Sequence, residues 1–396
     1  MRILAAWDDA AEAELLGLYL NLDANQFVVT SDAAACLEQL CAQEWDAVLL
    51  SLAFPDIDAA YVLFQKIREL QPNCPIVGAC FPQEVFQLAR FMMNGLRTYI
   101  LRDEVGDFLF LVHVTLENTV AAVKAEREQK IAEKLREEID SVRKIQETFI
   151  PKNLEAPAGY RVAARYEPSQ IQVVGGAPVV LAGGDYYDVF RINDKTLVLL
   201  VGDASGHGMK ACMSIMIMHT LVRMIRSTLY MDTAAFVAEI NKHLCSQTIV
   251  QQEGGFITLL YGVLNKETNE FQWTSAGHPM PLLHDIQQEC IQQIGDHEKS
   301  GLPLGVSEDA DYETCSFILP PQSKLLLFTD GLVEAFPTHQ LEGHCEFGIQ
   351  GVFSTMYQST ELGPKETLEA LFDASHAFTE GSGRHDDTSI VVLSRD

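Results

Sequence analysis

The sequence predicts a multidomain chain: a doubly wound α/β domain over 1–120, a helical connector over 121–152 and an α+β layered β-sandwich over 153–396. Three observations carry this reading. Short apolar runs alternate with helical stretches up to about residue 120, the pattern of a parallel sheet buried on both faces. From Leu116 to Phe149, apolar residues recur at spacings of three and four within a densely charged stretch, which is a helical period. Beyond Pro151, many strand-like runs outnumber a few long helical ones, as in a sandwich with helices outside two sheets.

In the first domain, strands are expected at 3–7, 26–30, 46–51, 75–80 and 97–101, with helices at 11–20, 32–43 and 59–70. The connector stripe runs through Leu116, Val120 and Val123, then Ile131, Leu135, Ile139, Val142, Ile145 and Phe149. Such spacing, flanked by charges of both signs, reads as a coiled coil joining two copies of the chain. Its alternative is a single solvated linker helix. Arg127 interrupts the stripe, and Pro151 stops the helix. In the last domain, strands are expected at 160–166, 179–181, 188–192, 196–201, 256–264, 270–274, 281–284, 312–319, 324–328 and 389–393. Helices are expected there at 208–228, 232–246, 348–358 and 364–379.

The formal net charge is −27. A phosphate backbone or an anionic membrane needs a Lys/Arg face, so nucleic acid and membrane are excluded as partners. Nine Cys without a CxxC pair read as reduced thiols in a cytoplasmic chain. Neither a secretory leader nor a membrane-spanning run is expected; the richest apolar run, 108–116, contains His113.

The chemistry sits on acids at strand ends. Asp203 follows the apolar run 196–202 and opens Asp203-Ala-Ser-Gly-His-Gly208. Asp185 follows Gly183-Gly184, Asp330 ends the run 324–329, and Asp386-Asp387 precede the run 388–393. A buried carboxylate is costly unless something cationic meets it. Gathered carboxylates repel, and so raise one another's pKa or bind cations. With no His or Cys at zinc spacing, the donor set is all oxygen and selects Mg²⁺ or Mn²⁺. Two such ions bridging a water would hydrolyse a phosphoester without a covalent intermediate. Phosphate-binding P-loops and the hydrolase nucleophile elbow are both absent from the sequence.

Two resemblances follow. The first domain resembles response-regulator receiver domains. Asp8-Asp9 matches their acidic pair, and the stretch from Trp45 to Asp58 matches their acceptor strand and loop. Ser51 stands where the phospho-accepting Asp would be, Cys80 where Thr or Ser would be, and Arg102-Asp103 in place of Lys-Pro. The resemblance therefore implies a receiver fold that has lost Asp-phosphate signalling. Asp8-Asp9 reads either as a solvated strand end or as a residual metal pair.

The stretch 143–396 resembles the metal-dependent serine/threonine phosphatase (PPM) family, in its bacterial SpoIIE-like and RsbU-like branch. The resemblance rests on Arg143-Lys-Ile-Gln146 through Pro151, Gly183-Gly-Asp-Tyr-Tyr-Asp188, Gly202 to Gly208, Ser275-Ala-Gly-His-Pro279, Gly301 to Gly305, Phe328-Thr-Asp-Gly331 through Ala335, and His385-Asp-Asp-Thr388. It implies a β-sandwich flanked by helices and two Mn²⁺ or Mg²⁺ ions. Asp185, Asp203 and the Ala204 carbonyl would hold the pair, Asp330 and Asp386 would complete it, and Asp387 is a further neighbour. His207 is implied as a general acid, or as a turn histidine bonded to backbone. Asp188 is expected to orient a neighbour, and His278 to be structural. The segment 171–182 reads as an insertion. The phosphate-binding Arg of eukaryotic relatives has no clear match, Arg161 and Arg165 being nearest.

The implied function is a bacterial signalling phosphatase acting on phosphoserine or phosphothreonine of a partner protein. By family analogy the partner is a STAS-type anti-sigma-factor antagonist, with regulation by the receiver-like domain through a dimerising connector. The alternative is a non-catalytic adaptor that sequesters a protein on the phosphatase fold.

Overall fold

Five short apolar runs pair into one parallel sheet in the first of two units, Met1–Leu135. They are β1 (Arg2–Ala6), β2 (Gln26–Thr30), β3 (Ala47–Ser51), β4 (Ile76–Cys80) and β5 (Thr98–Leu101), in the order β2-β1-β3-β4-β5. This is a computed structural model, and it describes residues 1–396 other than 22–24, 104, 172–178, 181–182, 207, 248–254, 338–345 and 381–385. Alternate residues of the central strands face opposite ways, which is why the runs are apolar without a break. Leu4, Ala6, Val48 and Leu50 enter one core, while Ile3, Ala5, Ala47 and Leu49 enter the other. Helices α1 (Ala10–Leu20), α2 (Ala33–Ala42), α3 (Ile57–Leu70) and α4 (Leu88–Met93) connect the strands. Asp9, Asp32 and Asp56 cap α1, α2 and α3 by accepting backbone N–H bonds at their first turns, each such cap stabilising by about 0.5–2 kcal/mol.

Helix α5 (Leu109–Glu147) starts in this unit, with Leu109, Val112 and Leu116 in its core. Arg127 donates to the Asn73 carbonyl at 3.0 Å, which explains the break in the apolar stripe. Ile131 and Leu135 are 60% and 58% exposed. The helix ends four residues before Pro151, as the sequence predicts.

The second unit, Arg136–Asp396, holds two five-stranded antiparallel sheets. Its strands are β6 (Tyr160–Glu167), β7 (Gln170–Ile171), β8 (Val179–Val180), β9 (Asp185–Asn193), β10 (Thr196–Ala204), β11 (Ile257–Asn265), β12 (Glu270–Ala276), β13 (Leu282–Asp285), β14 (Cys290–Gln293), β15 (Cys315–Ile318), β16 (Ser323–Phe328) and β17 (Thr388–Arg395). One sheet has the order β15-β12-β11-β10-β9, the other β14-β13-β16-β17-β6, and β7 pairs with β8 apart from both. Leu197, Leu199, Val201, Trp273, Leu325, Leu327 and Val391 form the layer between the sheets. The opposite faces are covered by α6 (Met209–Leu229) with α7 (Thr233–Cys245), and by α8 (Gly348–Gln358) with α9 (Pro364–Phe378). The result is helices outside a two-sheet sandwich.

Several details depart from expectation, beginning with α4 and β7, which were not expected. β9 starts at Asp185 and β10 extends to Ala204, so both strands are longer than their most apolar stretch suggests. β14 went unpredicted because only Ile291 of its four residues is buried. The strand expected at 312–319 is confined to Cys315–Ile318, the length over which it pairs with β12. Apart from the β7–β8 ladder, the 171–182 segment lies outside the described residues. No helix among the described residues is long and apolar enough to cross a membrane.

Candidate metal centre

The strand extensions bring the first two acids together. In the β9–β10 ladder, Asp203 is the direct cross-strand partner of Asp185, and Ala204 N donates to Gly184 O at 2.9 Å. A side chain at position 184 would not fit: an added Cβ would lie 2.7 Å from the Ala204 carbonyl oxygen and 3.1 Å from Asp203 Oδ1. The close approach of the two strand ends therefore requires Gly184.

The other sheet supplies the remaining acids. Asp330 opens a 3-10 turn, Asp330–Leu332, just past β16 rather than ending the strand. Asp386 and Asp387 lead into β17, which pairs with β16. Thr329 ties the two halves together. Its hydroxyl donates to Asp185 Oδ2 at 2.7 Å and accepts from Ser389 N at 2.8 Å. Asp387 is buried and accepts from Ser169 N at 2.7 Å and from Gly184 N at 2.5 Å, so both its oxygens are committed to backbone.

Electrostatics shows these acids acting on one another. Burial pushes Asp185 well above the usual carboxylate range, and Asp203 and Asp387 push it further. Asp203 is raised to about 8 by burial and then by Asp330, Asp386 and Asp387. Burial also raises Asp330, and lifts Asp386 to about 6 with help from Asp387, Asp330 and Glu334. Burial and neighbouring carboxylates raise Asp185, Asp203 and Asp386, burial raises Asp330, and no Lys, Arg or His is among the leading influences on the four. Crowded buried carboxylates without a counter-charge must hold protons or meet a cation. Among the described residues, no three His, Cys, Asp or Glu side chains are already drawn around one point as a closed shell. The donor chemistry nevertheless fits a hard divalent ion, being all oxygen and concentrated where two sheets end.

Other sequence candidates separate from this cluster. His207 lies outside the described residues. Asp188 is buried, pairs with Arg223 at 3.0 Å and accepts from the Tyr186 hydroxyl at 3.1 Å, which fastens α6 to β9. His278 is buried against Thr258, with Nδ1 2.9 Å from its hydroxyl. Arg161 pairs with Asp396, while Arg165 pairs with Glu167 and Glu369. Both arginines are therefore anchored on β6 by carboxylates. Sequence reasoning missed Thr329, Ser169, Glu334 and Gln146. Gln146 lies within the quoted run from Arg143 to Pro151, but a single polar residue at a helix end carries no periodic signal.

In the first unit, the acidic end of β1 at Asp8 is closed by a side chain. Arg102, 1% exposed, donates to Asp8 at 2.7 Å, Glu12 at 2.6 Å and the Ser51 hydroxyl at 2.9 Å. Its guanidinium also lies over the Trp7 and Phe81 rings, at 4.7 and 4.4 Å. Asp9 caps α1, and Asp103 accepts four backbone N–H bonds between Val105 and Phe108.

The comparisons with known proteins place the second unit. The profile of the family described as Stage II sporulation protein E (SpoIIE) matches residues 193–396. Phosphoserine phosphatase RsbU of Bacillus subtilis (strain 168) is 23% identical over 258 residues, covering 64% of this chain and 70% of RsbU. Phosphoserine phosphatase RsbP of the same organism is 26% identical over 152 residues, covering 38% of this chain and 36% of RsbP. The solved SiaA-PP2C domain of Pseudomonas aeruginosa superposes with a TM-score of 0.55 at 17% identity. That match covers 67% of this chain and 99% of the domain, and it shows a shared fold. A profile that spans more than half of the chain, together with this shared sandwich, makes the chain a member of the SpoIIE family of PP2C-type phosphatase domains.

Proposed function

We propose that this chain is a metal-dependent protein-serine/threonine phosphatase in bacterial signalling. One observation carries the reading: the ends of two sheets bring Asp185, Asp203, Asp330 and Asp386 into one partly buried cluster, in which neighbouring carboxylates raise the pKa of Asp185, Asp203 and Asp386. Asp185, Asp203, the Ala204 carbonyl, Asp330 and Asp386 would hold two Mn²⁺ or Mg²⁺ ions. Bound there, such ions would polarise a phosphoryl oxygen and acidify a water. The chain's own residues prepare that place. Thr329 fixes one oxygen of Asp185. Asp387, bonded to the Ser169 and Gly184 amides, holds the loop that carries Asp185. This supports assigning Asp387 to positioning rather than ligation. His207, four residues after Asp203 in the sequence, is a candidate proton donor to the leaving oxygen.

The substrate class is phosphoserine or phosphothreonine on a partner protein, supported by the names of the RsbU and RsbP relatives. A STAS-type anti-sigma-factor antagonist is the partner we propose, on family analogy. The first unit is read as a receiver-like regulator that works without aspartyl phosphate, since Ser51 occupies the acceptor position and Arg102 fills the acidic pocket. The exposed Ile131 and Leu135 support a dimerising α5.

The test is turnover of an aryl phosphate and of a phosphoserine peptide by the full-length protein across Mn²⁺ and Mg²⁺ titrations. Asp330→Asn and Leu135→Glu are run beside it, with sedimentation velocity on each. Metal-dependent turnover should fall to background in Asp330→Asn, and Leu135→Glu should sediment as a monomer. Wild type inactive at every metal concentration would favour the adaptor reading instead.

A further inference from the structure

The loop that carries Asp185 is fastened by the last turn of α5. Gln146 is a polar residue 2% exposed, one residue from the end of that helix. Its amide pairs with the backbone N–H and C=O of a single residue, Gly183. Nε2 donates to Gly183 O at 3.0 Å, and Gly183 N donates to Oε1 at 2.9 Å. A longer contact, 3.5 Å, runs from Nε2 to Asp185 O. The next residue is fixed from elsewhere, with Gly184 N donating to Asp387 and Gly184 O accepting from Ala204 N. There is no slack around this segment. A Cβ at position 183 would lie 2.1 Å from the Tyr166 hydroxyl and 2.5 Å from Asp387 Oδ2. Three consecutive residues, 183–185, are thus held by a helix end, by the entry to β17 and by β10.

A buried amide that served only to fill space would not need this match of one donor and one acceptor to one residue's N–H and C=O. We infer that Gln146 is a positioning residue for Asp185: by holding the Gly183 peptide it sets the affinity of the Asp185 site for a divalent cation. The inference rests on the reading of Asp185 as a metal ligand. It adds that the end of α5 is part of the metal site's support, so a displacement of that last turn changes cation affinity. Residues that orient metal ligands typically contribute 10–100-fold to affinity.

The experiment measures Mn²⁺ binding to the full-length protein by isothermal titration calorimetry, with thermal unfolding of the metal-free protein alongside. Gln146→Met keeps the shape and removes both hydrogen bonds. Gln146→Glu keeps an acceptor and loses the donor, and it covers the case in which the first variant fails to fold. Val352→Ala, a cavity variant in the α8–α9 layer, controls for general loss of stability. The expected result is an Mn²⁺ Kd raised about 10–100-fold in both Gln146 variants and unchanged in Val352→Ala. A wild-type Kd in Gln146 variants with a lowered melting temperature would make Gln146 structural only and overturn the inference. Wild type that binds no Mn²⁺ would overturn the metal-site reading, and this inference with it.

Discussion

Replacing Arg102 by Met removes the cation that closes the acidic pocket of the first unit while keeping an unbranched apolar stem between Trp7 and Phe81. The three hydrogen bonds lost run to Asp8, Glu12 and Ser51. At about 1.5–3 kcal/mol for each bond to a charged group, their simple sum is an upper bound. The Asp8 and Glu12 side chains keep 27% and 20% exposure, so both can rehydrate once the guanidinium is gone. A loss of about 3–5 kcal/mol follows, the range for breaking a buried pair from one side. That corresponds to about a 150- to 5,000-fold rise in the local opening equilibrium. Hydrogen exchange by mass spectrometry on the intact chain reads it directly: peptides covering β1 and β3 should exchange faster by that factor, and β16 peptides should not change. The effect also has a pH signature. Burial pushes the Asp8 carboxyl up, but hydrogen bonds from Ser51 and Arg102 and the Arg102 charge outweigh it and leave the carboxyl below its usual range. A lowered carboxyl pKa stabilises above the unfolded value and loses that contribution as pH falls through the folded one. The gap between wild type and Arg102→Met should therefore narrow below about pH 4. Protection of β1 and β3 within threefold of wild type at neutral pH would refute the reasoning.

Gly331→Ala would place a Cβ 1.9 Å from the Asp387 carbonyl oxygen, so it should destabilise by at least about 1–3 kcal/mol and depress metal-dependent turnover. Its counterpart Gly17→Ala, in the middle of α1 with the nearest atom 4.0 Å away, should stabilise by about 0.5–1 kcal/mol in urea unfolding. Burial pushes the His278 imidazole down to about 3. Below its ordinary value near 6.5 the unfolded chain takes up a proton that the native state refuses, so stability falls with pH by up to about 1.4 kcal/mol per unit. The difference in urea midpoint between wild type and His278→Gln, followed from pH 7 to 4 without metal, should carry this slope. A pH-independent difference would show that His278 is not held neutral.

Much of the fold was legible because its signals are local. Strands covered on both faces read as unbroken apolar runs, and most matched their observed positions within a few residues. The acids at their ends stood out because charge next to a buried run is costly. Long-range partners were not legible. That Asp185 faces Asp203 is a matter of ladder register, and that Thr329 reaches Asp185 is a matter of how two sheets stack. Gln146 showed no signal because its partner is a backbone peptide, which has no residue identity to recognise. Arg161 and Arg165 illustrate the converse: residues suited to hold phosphate by type are committed to carboxylates on β6 and its neighbours. Asp9 and Asp103 turned out to serve helix and turn ends, a use that short acids at such places commonly have.

The four central acids are divided between two sheets, Asp185 and Asp203 on one, Asp330 and Asp386 on the other. Their mutual distance is therefore a property of the apolar layer that spaces the sheets, in which Trp273, Phe271, Leu325 and Leu327 interlock. A substitution in that layer acts like a shim in a vice: it alters the gap between the jaws without touching the workpiece. The interior of the sandwich should consequently behave as a tuning element, with methylene-sized changes detuning the acidic cluster well before the unit melts.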